Sequence, residues 1–176
     1  VFAIANQKGG VGKTTSSVNL AASLAATKKR VLLIDIDPQG NATSGSGVDK
    51  HSVENTIYEV LVDELPIEQA IVKTPEASGF DLIVANGDLT AAEVQLLDMK
   101  LKEFRLRNAL ARIKSRYDYI LIDCPPSLNM LTVNSLTAAD SVIVPIQCEY
   151  YALEGLTALL SPIEKIRTVL NPKVHI

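Results

Sequence analysis

The chain has 176 residues, 47% of them hydrophobic and 21% charged, with a formal net charge of −3 at pH 7. These values exclude a disordered chain and a protein coated in positive charge for nucleic acid, and they suit one domain with a sizeable core. No apolar run approaches the roughly 20 residues that cross a bilayer, and no signal-peptide pattern opens the chain, so no membrane partner is expected. The two cysteines, Cys124 and Cys148, lack metal-type spacing and are expected as reduced, buried thiols of a cytosolic protein.

Short apolar runs alternate with longer helical patterns. Strands are expected at "VFAIA" (1–5), "RVLLIDI" (30–36), "FDLIVA" (80–85), "YDYILID" (117–123) and "SVIVPI" (141–146), each the near-continuous apolar run of a parallel sheet covered on both faces. The first helix, 13–27, is apolar nearly all round and is expected to be buried. Two short helices are expected at 52–62 and 66–72. Thr90 and Glu93 have the spacing of a capping box before a helix to about 100, and a charged helix follows to about 116. Residues 130–138 form another. The last helix, about 152–170, carries a stripe of Leu156, Leu159, Leu160, Ile163, Ile166 and Leu170, with Pro162 expected to kink it or mark its start. The alternation predicts a doubly wound α/β fold with a mainly parallel sheet. Val1 already lies inside an apolar run, and "NPKVHI" places a turn before the first residues of a strand. Residues 1–176 are therefore expected to be a single domain whose sheet continues past the C-terminal residue.

The chemistry concentrates where strand 1 meets the first helix, in "NQKGGVGKTT" (6–15). Gly9, Gly10 and Gly12 free the backbone N–H groups to turn around phosphate oxygens, and the helix N-terminus adds its positive dipole end. Lys13 can reach the outer phosphates, the Thr14 hydroxyl can ligate Mg²⁺ and Thr15 can donate to the α-phosphate. The usual first glycine of a phosphate loop is replaced by Gln7. An apolar strand ending in Asp123 gives the carboxylate that holds Mg²⁺ in such sites. A second strand ends in Asp35 and Asp37, which either share a cation or polarise a water, or are ordinary turn-forming residues. Lys8 is a second lysine beside the loop. It is either a solvated surface residue or a cation that points into a partner's nucleotide, as a two-fold dimer facing loop to loop would allow.

Together "KGGVGKTT", "LLIDIDPQGN", "YDYILIDCPPS" and "QCEYYALEG" resemble the deviant Walker-A P-loop ATPases, most closely the ParA/Soj partitioning ATPases, along essentially the whole chain. The resemblance implies an ATPase using Mg²⁺ that forms an ATP-dependent sandwich homodimer, binds DNA without sequence preference and is stimulated by a ParB-type centromere-binding partner, in the cytoplasm on the nucleoid. It implies that Lys8, Gly9, Gly10, Val11, Gly12, Lys13, Thr14 and Thr15 contact nucleotide, with Lys8 acting on the partner's ATP. Thr14 and Asp123 would serve Mg²⁺, Asp37 would position the attacking water, and Glu149 would lie near the partner's nucleotide. Val84 and Gly87 depart from the family pattern "LIPANxDL", and Pro162 interrupts a helix that is usually continuous. The family's adenine contacts and much of its basic DNA surface lie beyond this sequence.

Other classes are weighed by the same residues. A Min-type cell-division-site ATPase has Gly where Gln7 stands, and "DPQGN" also favours partitioning. A nitrogenase-iron-protein relative needs cluster cysteines, and Cys124 is wrongly placed between Asp123 and Pro125. A non-hydrolysing interaction module is disfavoured by the full set of catalytic side chains. Residues 100–116 hold seven Lys or Arg against one Glu. They are either a DNA-phosphate surface or a solvated helix face.

Overall fold

The architecture comes from a computed structural model, which describes residues 1–148 and 152–176, with the side chains of 152–155, 157 and 158 left out. Six strands form one sheet: β1 (Phe2–Ile4), β2 (Val31–Asp35), β3 (Ile71–Lys73), β4 (Asp81–Ile83), β5 (Tyr119–Asp123) and β6 (Ser141–Ile143). Their spatial order is β3-β4-β2-β5-β1-β6, parallel throughout except where β3 pairs antiparallel with β4. The predicted mainly parallel, doubly wound fold is the one observed.

The strand sequences explain why helices cover both faces. Side chains alternate across a strand, so Leu32, Ile34 and Ile122 enter one core while Val31, Leu33 and Leu121 enter the other. The second core is closed by α1 (Lys13–Ala26) and touched by α2 (Asn41–Gly45). The first is covered by α3 (Ile57–Leu61), α4 (Leu89–Gln95), α5 (Arg105–Ala111), α6 (Met130–Ala138) and α7 (Ala152–Val169). In α7, Leu159, Ile163 and Ile166 are buried as the stripe predicts, whereas Leu160 faces solvent. The helix runs through Pro162 rather than starting there. Near the C-terminus His175 makes a parallel bridge to Ser141 beside β6, where the sequence reading expects a strand to begin.

Several expectations fail for identifiable reasons. The helix expected at 66–72 is one 3₁₀ turn, Ile67–Gln69, followed by β3; Ile71 and Val72 are β-branched and pair with the β4 edge. The helix expected from 52 starts only at Ile57, because Thr56 caps it. Here the true capping box lies: the Tyr58 N–H donates to Thr56 Oγ1 (3.1 Å) and the Thr56 N–H donates to Glu59 Oε2 (2.7 Å). No box forms at Thr90, which lies inside α4, and Glu93 instead accepts from the Asn129 side chain. The charged helix is broken into a 3₁₀ turn (Lys102–Phe104), α5 and a second 3₁₀ turn (Lys114–Arg116), with Leu101 left-handed at φ 53° ahead of them. Buried residues of α1 are confined to Lys13, Ser17 and Ala21, so it is a one-sided surface helix rather than a buried one. Cys124 is buried and burial pushes its thiol up to about 12, but Cys148 is exposed, contrary to expectation.

Candidate active site

The site lies at the carboxyl ends of β1, β5 and β2, where ligands of such sheets bind. Register fixes it: Asp123, ending β5, stands level with Ile4 of β1 on one side and Asp35 of β2 on the other. The loop between β1 and α1 therefore rises beside both acidic strand ends.

The last residue of β6 and the segment after it hold that loop. The Ala5 N–H donates to the Ile143 carbonyl (3.1 Å), the Asn6 amide to the Pro145 carbonyl (2.8 Å) and the Gln147 amide to the Gly10 carbonyl (3.0 Å). Asn6 Oδ1 also accepts the Lys8 N–H (3.0 Å). Gly10 and Gly12 adopt φ 73° and 89°, left-handed values that L side chains rarely take. A Cβ at either would meet no atom within 4 Å, so glycine is required for backbone conformation and the space beside the loop is open. Gly9 is exposed, Val11 is buried, Thr15 is exposed and Lys8 is half-buried. Glu149 lies outside the described residues.

Lys13 opens α1 only 7% exposed, and its ammonium reaches back to donate to the Lys8 carbonyl (3.0 Å). Burial lowers its pKa, against the opposing fields of Asp123 and Asp37. One turn of α1 presents two hydroxyls to Asp123: Thr14 Oγ1 donates to Oδ2 (2.8 Å) and Ser17 Oγ to Oδ1 (2.6 Å). Asp123 is fully buried, which raises its pKa, and these two hydrogen bonds act to lower it. Asp37 is 8% exposed, just beyond β2, and its Oδ1 accepts the Gln39 N–H (3.0 Å) in a tight turn.

The structure thus brings Lys13, Thr14, Asp37 and Asp123 to one mouth. Asp35 behaves differently from Asp37. It is fully buried and its oxygens accept from Asp37 and Thr43, so the pair does not present two carboxylates to one cation. Ser17 was not singled out by sequence; its signal is the i+3 spacing from Thr14, which puts both hydroxyls on one helix face. The donor set suits a phosphate chain and a hard cation: open N–H groups at a helix N-terminus, one lysine, and a hydroxyl with a carboxylate.

Comparison with known proteins agrees with this geometry. A family model described as an AAA domain matches residues 1–176. The chain is 53% identical over 176 residues to the sporulation initiation inhibitor protein Soj of Bacillus subtilis, covering all of this chain and 69% of Soj. It belongs to the ParA/Soj family. Over 178 residues it is also 54% identical to the chromosome partitioning protein ParA of Caulobacter vibrioides, covering all of this chain and 66% of ParA. It spans about two thirds of the length of these curated relatives. A solved cobyrinic acid a,c-diamide synthase of Mycobacterium smegmatis, bound to an ATP analog and magnesium, superposes with TM-score 0.94 at 42% identity, over 99% of this chain and 70% of that one.

Two further expectations meet the structure here. Of the seven cations in 100–116, Arg105 pairs with Glu64 (2.7 Å), Arg112 with Glu68 (3.3 Å) and Lys114 with Asp140 (2.9 Å), so three of the charges are matched within the chain, although Arg112 and Lys114 stay exposed. Among the described residues, no helix of this ParA/Soj-family chain is long and apolar enough to cross a membrane.

Proposed function

We propose that the chain is the nucleotide-handling part of a Mg-ATP-dependent partitioning ATPase. It dimerises on ATP, binds DNA without sequence preference and is stimulated by a ParB-type centromere-binding partner, in the cytoplasm on the nucleoid. One observation carries the reading: Lys13, Thr14 and Asp123 converge beside a loop whose Gly10 and Gly12 are left-handed, in a chain half identical to chromosome partitioning proteins.

The roles follow from chemistry. Backbone N–H groups of Gly9 through Thr15 hold the phosphates, and Lys13 exchanges the Lys8 carbonyl for a phosphate oxygen. Thr14 and Asp123 would hold Mg²⁺, which would supply positive charge to the phosphates. Asp37 orients the attacking water; the water's oxygen bonds to the γ-phosphorus as the bond from that phosphorus to the bridging oxygen breaks, ADP leaves with the bonding electrons, and the water's proton passes to an oxygen of the released phosphate. Lys8 reaches across the two-fold axis to the partner's ATP, and Glu149 lies near that nucleotide. ATP then links the two subunits, because its charge offsets repulsion between facing lysines, and loss of the γ-phosphate contact loosens the interface.

The test is ATP turnover by the full-length protein, with and without DNA and a candidate centromere-binding protein, for the wild type and Asp37→Ala. Stimulated turnover by the wild type and ATP binding without hydrolysis by Asp37→Ala are expected. Wild-type turnover by Asp37→Ala would overturn the assignment.

A further inference from the structure

Asp35 is a fully buried carboxylate that the proposed reaction does not use, and among the described residues no lysine or arginine pairs with it. Burying such a group is costly unless hydrogen bonds replace water. Here three do. One oxygen accepts the Asp37 N–H (3.1 Å); the other accepts the Thr43 N–H (2.7 Å) and the Thr43 hydroxyl (2.8 Å). The hydroxyl oxygen of Thr43 in turn accepts the Ala85 N–H (3.2 Å), just beyond β4. The loop from Asp37 to Thr43 is therefore fastened at both ends to the single carboxylate at the tip of β2, and its far end is fastened to the neighbouring strand.

The middle of the loop is equally constrained. Gly40 sits at φ 62°, and a Cβ there would lie 2.7 Å from the Ala85 carbonyl oxygen. The Gly40 N–H donates to the Asp37 carbonyl (2.8 Å) and the Gln39 N–H to the Asp37 side chain (3.0 Å). Every hydrogen bond that orients Asp37 thus lies within a loop whose two ends Asp35 defines.

We propose that Asp35 and Thr43 form a latch that sets the position of Asp37, so that both are positioning residues for ATP hydrolysis without touching nucleotide. The inference rests on the proposed role of Asp37. An attacking water held by one carboxylate is sensitive to small displacements, since a shift of about 1 Å can cost on the order of 100-fold in rate. Phosphate binding relies instead on the loop before α1, and the hydrogen bonds of Asp35 and Thr43 run to each other, to Asp37 and to Ala85 rather than to that loop. The latch therefore acts on the chemical step and spares nucleotide affinity.

The experiment uses the full-length protein and single-turnover hydrolysis of bound radiolabelled ATP, with ATP affinity measured in parallel. The variants are Thr43→Val, Thr43→Ser, Asp35→Asn and Asp37→Ala. Thr43→Val keeps size but loses the hydroxyl. Asp35→Asn keeps shape but turns an NH₂ towards one of the N–H groups it now accepts. Both are expected to slow hydrolysis by about 10- to 100-fold with ATP affinity within about 3-fold of wild type, and Thr43→Ser to restore the rate to within about 3-fold, because its hydroxyl remains. Unchanged hydrolysis in Thr43→Val, an affinity loss as large as the rate loss, or Thr43→Ser as slow as Thr43→Val would each overturn the latch. Asp37→Ala separates the two claims: if it hydrolyses ATP normally the catalytic reading itself fails, whereas a dead Asp37→Ala beside a normal Thr43→Val rejects the latch alone. Should Asp35→Asn fail to fold, the two Thr43 variants decide the question.

Discussion

Removing the Ser17 hydroxyl tests whether α1 tunes the acid at the end of β5. Ser17 Oγ donates to Asp123 Oδ1 at 2.6 Å, both residues are fully buried, and Ser17→Ala leaves that oxygen with no replacement from water. A hydrogen bond to a charged group contributes about 1.5–3 kcal/mol, and alanine's better helix propensity offsets about 0.5 kcal/mol. The net loss of about 1–2.5 kcal/mol corresponds to a fall in Tm of roughly 2–10 °C at about 2–4 °C per kcal/mol. Because the bond acts to lower the Asp123 pKa, the deficit should be largest where the carboxylate is ionised and shrink as pH falls and it protonates. Thermal unfolding of the nucleotide-free full-length protein across a pH series measures both. A Tm within about 1 °C of wild type at every pH, or a deficit that does not change with pH, would refute the reasoning, since a lost methylene-sized contact has no such pH signature.

Gly40→Ala should be much more costly than Gly10→Ala. Both glycines are left-handed, a conformation that costs an L residue about 1–2 kcal/mol, but only the Gly40 Cβ meets backbone, 2.7 Å from the Ala85 oxygen; the two urea midpoints check the difference. Lys13→Ala should weaken ATP binding at least about 30-fold, because it removes the charge partner of the phosphates, and titration of a fluorescent ATP analogue reads it. Burial pushes the Asp35 carboxyl up to about 7 from an ordinary value of 3.8. The folded state then holds a proton that the unfolded state has released, so stability due to this group is present below pH 4 and is lost as pH rises to about 7. The stability of wild type relative to Asp35→Asn should fall across that window and level off above it, and a difference constant from pH 4 to 8 contradicts the shift.

Much of the fold was legible because a doubly wound sheet writes a strong pattern. Central strands such as Val31–Asp35 are buried on both faces and read as unbroken apolar runs. β3 was illegible because it is a three-residue edge strand, and its Ile71 continues the helical spacing of Ile67 and Ala70 in the 3₁₀ turn just before it. The capping box was misplaced because the Thr-x-x-Glu pattern occurs twice, and tertiary structure draws Glu93 to Asn129 while leaving Glu59 to its own helix. In the candidate site, the neighbourhood of Lys13, Thr14, Asp37 and Asp123 was readable because each sits at a strand end or loop position with its own local signature. Ser17 and Thr43 were not, because a buried hydroxyl is assigned only by the carboxylate it meets, and those partners lie 106 and 8 residues away in sequence.

The central claim is that ATP joins two copies of this chain through Lys8. Its most direct test is the solution mass of the full-length protein with Mg-ATP, using Asp37→Ala to prevent turnover, compared with the same protein carrying Lys8→Ala. The account predicts a dimer for the first, and a nucleotide-bound monomer for the second. A stable ATP dimer that forms equally well without the Lys8 side chain would contradict it.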